Sequence, residues 1–593
     1  MPSRRACLVR LTPPSPPLEC GKPCPGGSAI TPPAIALIPL DDRPCNRLFP
    51  HQLSLISGCQ LHLPPRDHLG WFDQPGDPDA IADWLRSCPA DRLVISLDMW
   101  CFGGLVASRF PRLPLDLALQ RLTPLRELRQ ARPDMRIFAF SNVMRLGTFV
   151  TSPDDLAVHE GLLAYSQLID RVERLGEEQA RPELEAVIAQ LDRDRLADYL
   201  AARRRNHAVN RAAIQLVADA VFDYLVLAQE DAAPVGLHMP ELMALRDQVE
   251  EFRIADRVAI HPGADEVGLV LLARHHLDCP GPPIGLSVDY ASAEGADIIP
   301  QYEHQPLRQT VESQIRAAGA RLAPPVEADA LLFLHTPVHV QHDIAEAPPE
   351  GHSPALAAQA DSVAERTTAA AASGLPLGLA DVAYANGMDP ELIAAFRRTG
   401  GLHHLTAFAG WNTAANTLGT VIAQLCLALS SAPERRESAR RASRRFLACR
   451  LLDDYAYQSS VRSRAAERAA ELGANPYALA DRAAELETFV REQLAPFSHE
   501  MHSSLLAGPA AAATPPTEGS PPTAAGPAAA ASEGPSGATP EGATGAPPDA
   551  AAAAPAGETA GPAPGEGEAL RLADARVTLP WGRLFEVEVE IPS

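Results

Sequence analysis

Glu230 and Asp231 stand side by side, directly after the apolar run at residues 224–228 and Gln229. Two carboxylates that close repel each other, which pushes the proton affinity of one upward and readies the pair for acid–base work. Neighbouring carboxylates also serve glycosidases that recruit the substrate's own N-acetyl group. There, one carboxylate orients the amide while the other protonates the leaving group. Glu230 and Asp231 are therefore the expected catalytic residues. The structural alternative is one Asp capping the next turn beside one exposed Glu.

Other apolar runs end in similar polar clusters. Asp41, Asp42 and Arg43 follow the run at 35–40. Carboxylates beside a guanidinium can hold a polyol or a metal, or can cap a helix with a local ion pair. Asp98 follows the run at 93–97, and Gly103 and Gly104 beyond it permit close backbone approach. These glycines lack the spacing of a dinucleotide fingerprint. Arg109 can take a carboxylate or a pair of ligand oxygens. Asn142 and Arg145 follow the run at 137–140. Asp265 and Glu266 follow His261; they suit a ligand, or the start of the helix that carries Arg274. Asp381 and Asn386 close another run, and Trp411, Asn412 and Asn416 close the last. A Trp beside amides suits a sugar ring or small polar metabolite. Asp41, Asp42, Arg43, Asp98, Arg109, Arg145, Asp265, Glu266, Asp381, Asn386, Trp411, Asn412 and Asn416 are the expected substrate binders.

Two further patterns carry less. Arg203, Asn206 and Asn210 can share one helix face, and an Arg-rich turn of this kind reads as a solvated face. His335, His339, His342 and Asp343 form H-x3-H-x2-H-D, which on a helix would gather imidazoles around a divalent ion. Pro337 breaks such a helix. Loop histidines facing water are expected there; no metal ligand is assigned, although a divalent metal is left open.

Parallel strands buried on both faces read as continuous apolar runs, and ligands bind beyond their carboxyl ends. Helical patterns at 78–87, 115–131, 182–218, 240–252, 305–318, 353–373 and 390–399 alternate with these runs. The alternation predicts an α/β chain of parallel-sheet β/α units. The strand candidates exceed the eight of a barrel, so two Rossmann-like halves facing a cleft are expected, with a barrel-like ring as the alternative. By composition, residues 1–32 form a disordered head, 33–412 the α/β body and 413–506 a mainly helical region that breaks at 473–476. Residues 507–569 read as a disordered Ala/Pro/Gly-rich linker, and 570–593 as a C-terminal strand segment. Residues 584–591 alternate with period two, which predicts a strand with one wet face. A lone strand is unstable, so this one must return to the body.

Composition excludes several classes. The net charge of −23 argues against a nucleic-acid partner. No apolar stretch is long enough to cross a bilayer, and Arg4 and Arg5 lead into prolines rather than a signal peptide, so the expected address is cytoplasmic with no membrane partner. Ten scattered cysteines read as reduced core residues; Cys20 and Cys24 lack the second pair a zinc site needs. Lys22, in the head, is the only lysine. The body therefore cannot build a P-loop, a Schiff base or a protein-kinase site. No cofactor is expected, the expected partner is a small-molecule substrate, and the oligomeric state is left open. These readings lead to a cytoplasmic hydrolase of a small carbohydrate or amino-sugar derivative. The alternatives are a metal-dependent hydrolase using Asp41, Asp42, Asp265 and the His335 loop, and a non-catalytic ligand-binding or sensor protein.

Several islands carry a resemblance. They read I-P-L-D-D-R-P at 38–44, S-L-D-M at 96–99, G-G-L-V-A-S-R at 103–109 and P-G-A-D-E-V-G at 262–268. D-V-A-Y-A-N-G follows at 381–387, W-N-T-A-A-N-T at 411–417 and L-P-W-G-R-L-F-E at 579–586. In this order they resemble the uncharacterised bacterial family catalogued as domain of unknown function 4127, over residues 33–506 and the C-terminal segment. The resemblance implies no established activity. The chain departs from the family pattern twice. Glu230-Asp231 stands where paired aspartates are expected, which keeps carboxylate chemistry but changes its reach. His335 stands where Asn is expected, which weighs against an essential metal ligand there.

Overall fold

The computed structural model describes residues 33–150, 152–278, 282–346, 353–506 and 575–591. The head at 1–32 and the linker at 507–569 lie outside these residues. The apolar runs are parallel strands. In the first lobe, β1 (Ala34–Ile38), β2 (Gln60–His62), β3 (Arg92–Ser96), β4 (Arg136–Val143), β5 (Tyr224–Gln229) and β6 (Val258–Pro262) form one sheet, ordered β2-β1-β3-β4-β5-β6. In the second lobe, β7 (Gly285–Tyr290), β8 (Arg321–Leu322) and β9 (Ala330–His335) join β11 (Leu377–Asp381) and β13 (Leu405–Ala409) in the order β13-β11-β9-β7-β8. A short parallel pair, β10 (His342–Asp343) and β12 (Tyr384–Ala385), sits between them in sequence. Counted within its own lobe, each sheet runs 2-1-3-4-5, and the first adds a sixth strand. This is the doubly wound arrangement in two copies, with no internal sequence repeat to announce it.

The lobes share one apolar core. The helices Pro44–Ser57 and Val267–Leu277 of the first lobe pack on the helix Ala414–Leu429 of the second. Leu37, Val270, Leu332 and Val421 accordingly belong to one continuous buried cluster. Among the described residues no single helix is long and apolar enough to cross a membrane. The helix Arg436–Arg450 packs on β13, and Phe333, Leu379 and Phe408 share one buried cluster with Val490 and Leu494 of the helices that follow.

Caps set several helix boundaries. Pro78–Ser87 and Pro390–Thr399 match their predicted spans, and the Asp77 and Asp389 side chains accept from their first-turn N–H groups. The pattern at 115–131 splits into Leu115–Gln120 and Thr123–Ala131, with Pro124 in the first turn of the second piece. The pattern at 182–218 splits because Asp192 caps a fresh helix at Arg193–Ala218. Residues 584–591 are not one strand. β15 (Glu588–Glu590) pairs antiparallel with β14 (Arg576–Thr578), and residues 584–587 form a turn that reaches the site.

Candidate functional site

The carboxyl ends of both sheets face one region, and the expected site residues divide there into two groups. The first gathers around Arg43. Its guanidinium donates to Asp41 at 2.9 Å, to Asp265 at 2.5 Å and to Glu586 at 3.4 Å. Asn46 bridges Asp41 and Asp265 from the next helical turn. Asn412 donates to the same Asp265 carboxylate from the second lobe at 3.4 Å, while Asn416 accepts from the Asp265 N–H. Burial works against the Arg43 charge, but Asp265 and Asp41 outweigh it and hold the guanidinium well above its ordinary value. Burial pushes Asp265 up to about 6, against the pull of Arg43. Asp42 turns the other way, accepting from Trp581 Nε1 at 2.5 Å and from Arg66 at 3.3 Å. Trp411 packs edge-to-face on Phe49, 5.6 Å between centroids, and borders a cavity of 20 Å³ with Asn386 and Asn412. That volume holds a water-sized guest.

The second group lies at the ends of β3, β4 and β5. Arg109 pairs with Glu230, and Arg145 pairs with Asp231 at 2.5 Å. Asp98 accepts from the Asn142 N–H at 2.9 Å. Burial, with Glu230 adding to it, raises Asp98 to about 7. The Asn142 side chain is 3 % exposed, and neither end of its amide has a partner among the described residues. The Arg109 and Arg145 Nε groups are likewise unpartnered. Buried polar atoms without partners are uncommon, and a ligand is one way of satisfying them.

The helix Arg193–Ala218 positions this group. Arg203 donates to the carbonyls of Met144 and Arg145, and Arg205 and Asn206 to that of Ser108. Asn210 holds Asn142 through its carbonyl. Arg203, Asn206 and Asn210 do share a face, as their spacing predicts, but it is buried under both guanidinium loops rather than solvated. Gly103, at φ 84°, lets the loop after Asp98 close on residue 76; a Cβ there would lie 2.7 Å from Pro75.

Beyond Arg145 and Asp231 opens a cavity of 510 Å³, walled also by the loops after β7 and β9 and by the helix Pro153–Glu173. The strand order reverses between β7 and β9, the place where doubly wound sheets bind ligands. A chain of hydrogen bonds joins this cavity to the Arg43 group. Ala232 N–H donates to Tyr302 O, Tyr302 Oη to Asp343, Asn386 to Asp343, and Asn386 N–H to Asn412 O. Strain falls along the same line. Of the eight described non-glycine residues with positive φ, Tyr302 (68°), Asn386 (60°) and Asn412 (52°) belong to it. Such outliers persist where the surroundings enforce them, often at functional sites.

Two expected binders point elsewhere. Glu266 accepts from Ala264 N–H and from Gln314, between the lobes, and burial lifts its carboxyl to about 8. Asp381 accepts from the N–H groups of Ala383 and Asp389 beside buried His335, whose Nε2 meets Asp389 at 2.8 Å. His335 is therefore a strand-end residue of the core, and His339 and His342 are exposed. Among the described residues no three His, Cys, Asp or Glu gather as a metal-binding group.

Sequence reading missed four contributors. Tyr302 and Glu303 line the larger cavity, and burial raises Glu303 to about 7. No apolar run precedes them, and backbone strain shows only in the structure. Trp581 and Glu586 had a signal, since both lie in the 579–586 island.

The Glu266 arrangement gives two expected outcomes. A Cβ on Gly263 would lie 1.9 Å from Glu266 Oε1, at φ 139°. Gly263→Ala should cost about 2 kcal/mol or more in urea unfolding. Glu266→Gln should be tolerated. Between the ordinary carboxyl value and about 8, only the unfolded chain loses the Glu266 proton, so this group makes stability fall as pH rises through that window. The Gln variant, which cannot ionise, should melt at or above the wild type at pH 8 and lose part of the pH slope.

Two doubly wound lobes with a polar cleft between their strand ends define a two-lobed α/β protein. The chain belongs to the family described as a protein of unknown function (DUF4127), whose sequence pattern matches residues 35–590. Searches of curated proteins and of solved structures return no match.

Proposed function

We propose that the protein is a hydrolase acting on a small carbohydrate or amino-sugar derivative bound in the larger cavity. One observation carries this reading: paired carboxylates, each gripped by its own guanidinium, stand beside a buried carboxyl and an unpartnered amide next to that cavity. Arg145 orients Asp231, which lines the cavity, to hold a substrate amide or hydroxyl. Glu230 is the other member of the acid–base pair. Asp98, raised to about 7, keeps a proton within the group near neutral pH. Asp41, Arg43 and Asp265 brace the cleft from the other side rather than touch the substrate.

The metal-dependent alternative has less support. Arg43 already occupies the space between Asp41 and Asp265, Asp42 faces Trp581, and His335 lies in the core. The reading includes a cytoplasmic address, supported by the buried free thiols of Cys45, Cys59, Cys88, Cys101, Cys426 and Cys449.

A screen of aryl glycosides tests the activity. With a substrate in hand, the Glu230→Gln, Asp231→Asn double variant should lose about 10²–10⁴-fold in kcat/KM; full activity in that variant would exclude the pair. The wild-type rate should fall as pH rises through about 7, where the Asp98 proton leaves. Asp98→Asn should abolish that limb.

A further inference from the structure

The larger cavity has two unlike walls. Its inner end carries Arg145 and Asp231, while the buried Glu303 carboxyl beside them accepts from Ala415 N–H and Thr310. Its outer wall carries Leu163 from the helix Pro153–Glu173, Ile299 from the loop after β7 and Val340 from the loop after β9. Ile299 is 39 % exposed and Val340 65 %. A lone exposed apolar side chain needs no explanation. Here two exposed ones, and half-buried Leu163, come from three distant segments and line the same cavity as Arg145 and Asp231. A free sugar would leave that wall in contact with water. A ligand with an apolar substituent would cover it and gain the burial of both surfaces.

We infer that the substrate is amphipathic: a hydroxyl-rich head lies at the inner end, and an aryl or alkyl group lies along Leu163, Ile299 and Val340. The choice of a sugar head rests on the proposed function; the apolar group rests on the outer wall alone. Such a substituent would be the aglycone of a conjugated sugar, which leaves as the protonated alcohol or phenol when water takes its place, or an acyl decoration that sets specificity without joining the chemistry.

The test is calorimetric titration of the full chain with N-acetylglucosamine, its 4-nitrophenyl β-glycoside and its octyl β-glycoside. The two conjugates should bind at least about tenfold more tightly than the free sugar. In the Ile299→Ser, Val340→Ser double variant, whose changes are at exposed positions, this preference should fall toward one. Leu163→Gln should reduce it independently. Equal affinity for free and conjugated sugars, or a preference that survives both variants, overturns the inference while leaving the hydrolase reading standing. Conversely, if neither free sugar nor glycoside head is recognised but 4-nitrophenol and octanol bind in a way that Leu163→Gln weakens, the sugar reading falls and the apolar subsite stands. If none of these probes binds, both fall.

Discussion

A chain ending at residue 574 is expected to lose its cooperative melting transition. The segment it lacks buries Val577, Leu579, Trp581, Leu584, Val587, Val589 and Ile591, none more than 6 % exposed. Burying such side chains contributes about 1.5–3 kcal/mol each, so their joint removal is on the order of 10 kcal/mol. That rivals the whole stability of an ordinary domain, about 5–15 kcal/mol. The loss is not confined to the edge of the fold. Leu479 N–H donates to Gly582 O, Leu584 N–H to Pro476 O, and Tyr457 Oη to Leu584 O. Without the segment, Tyr457 and Val490 lose their cover, and Arg43 loses Glu586. Scanning fluorimetry with a hydrophobic dye should show binding before heating. A truncated chain that melts like the full one would show that the segment is an accessory.

Arg43→Met should destabilise the protein by about 3–5 kcal/mol, the usual effect of removing one partner from a buried ion pair. Asp41 and Asp265 would be left facing each other with the Asn46 and Asn412 amides and the backbone N–H of residue 43 to satisfy them. The effect has a definite pH dependence. Asp265 already sits near 6 with Arg43 beside it, so loss of the cation raises it further. The deficit relative to wild type should therefore be largest at pH 8 and shrink as pH falls toward about 6, where Asp265 carries its proton in the variant and begins to take one up in the wild type. Arg43→Lys should recover only part of the loss, because one ammonium cannot reproduce a guanidinium fork that reaches Asp41, Asp265 and Glu586 at once. Urea titrations at pH 5.5 and 8 check both statements. Equal losses at the two pH values would mean that the carboxylates are not the source.

The architecture was legible because its strands are uniform. β5 is apolar from Tyr224 to Ala228 and buried throughout, and each such run could be read without tertiary information. The division of the site was less legible. Asp41 and Asp98 both follow apolar strands, yet one belongs to the Arg43 group and the other to Glu230. Sequence shows that a polar residue ends a strand; it does not show which way its side chain leaves the turn. Glu266 and Asp381 are the clearest cases, since one opens the helix after β6, the other ends β11, and both turn into helix–helix or strand–loop contacts. The period-two signal at 584–591 was real but short of partners. Among the described residues it pairs with β14, and the end nearer Trp581 became a turn. Leu451–Val461 gave no sequence warning at all. Its eleven residues wind as a π-helix, which carries Asp453 and Asp454 onto Arg450.

The salt bridge between Arg43 and Glu586 spans 543 residues of sequence. At ribosomal speeds of about 5–20 residues per second, the acidic partner emerges on the order of a minute after the guanidinium does. Throughout that interval the first lobe can be present in nascent form while its cleft lacks Trp581 and Glu586. A polypeptide arrested midway through translation would therefore carry neither its completed pocket nor its final clasp.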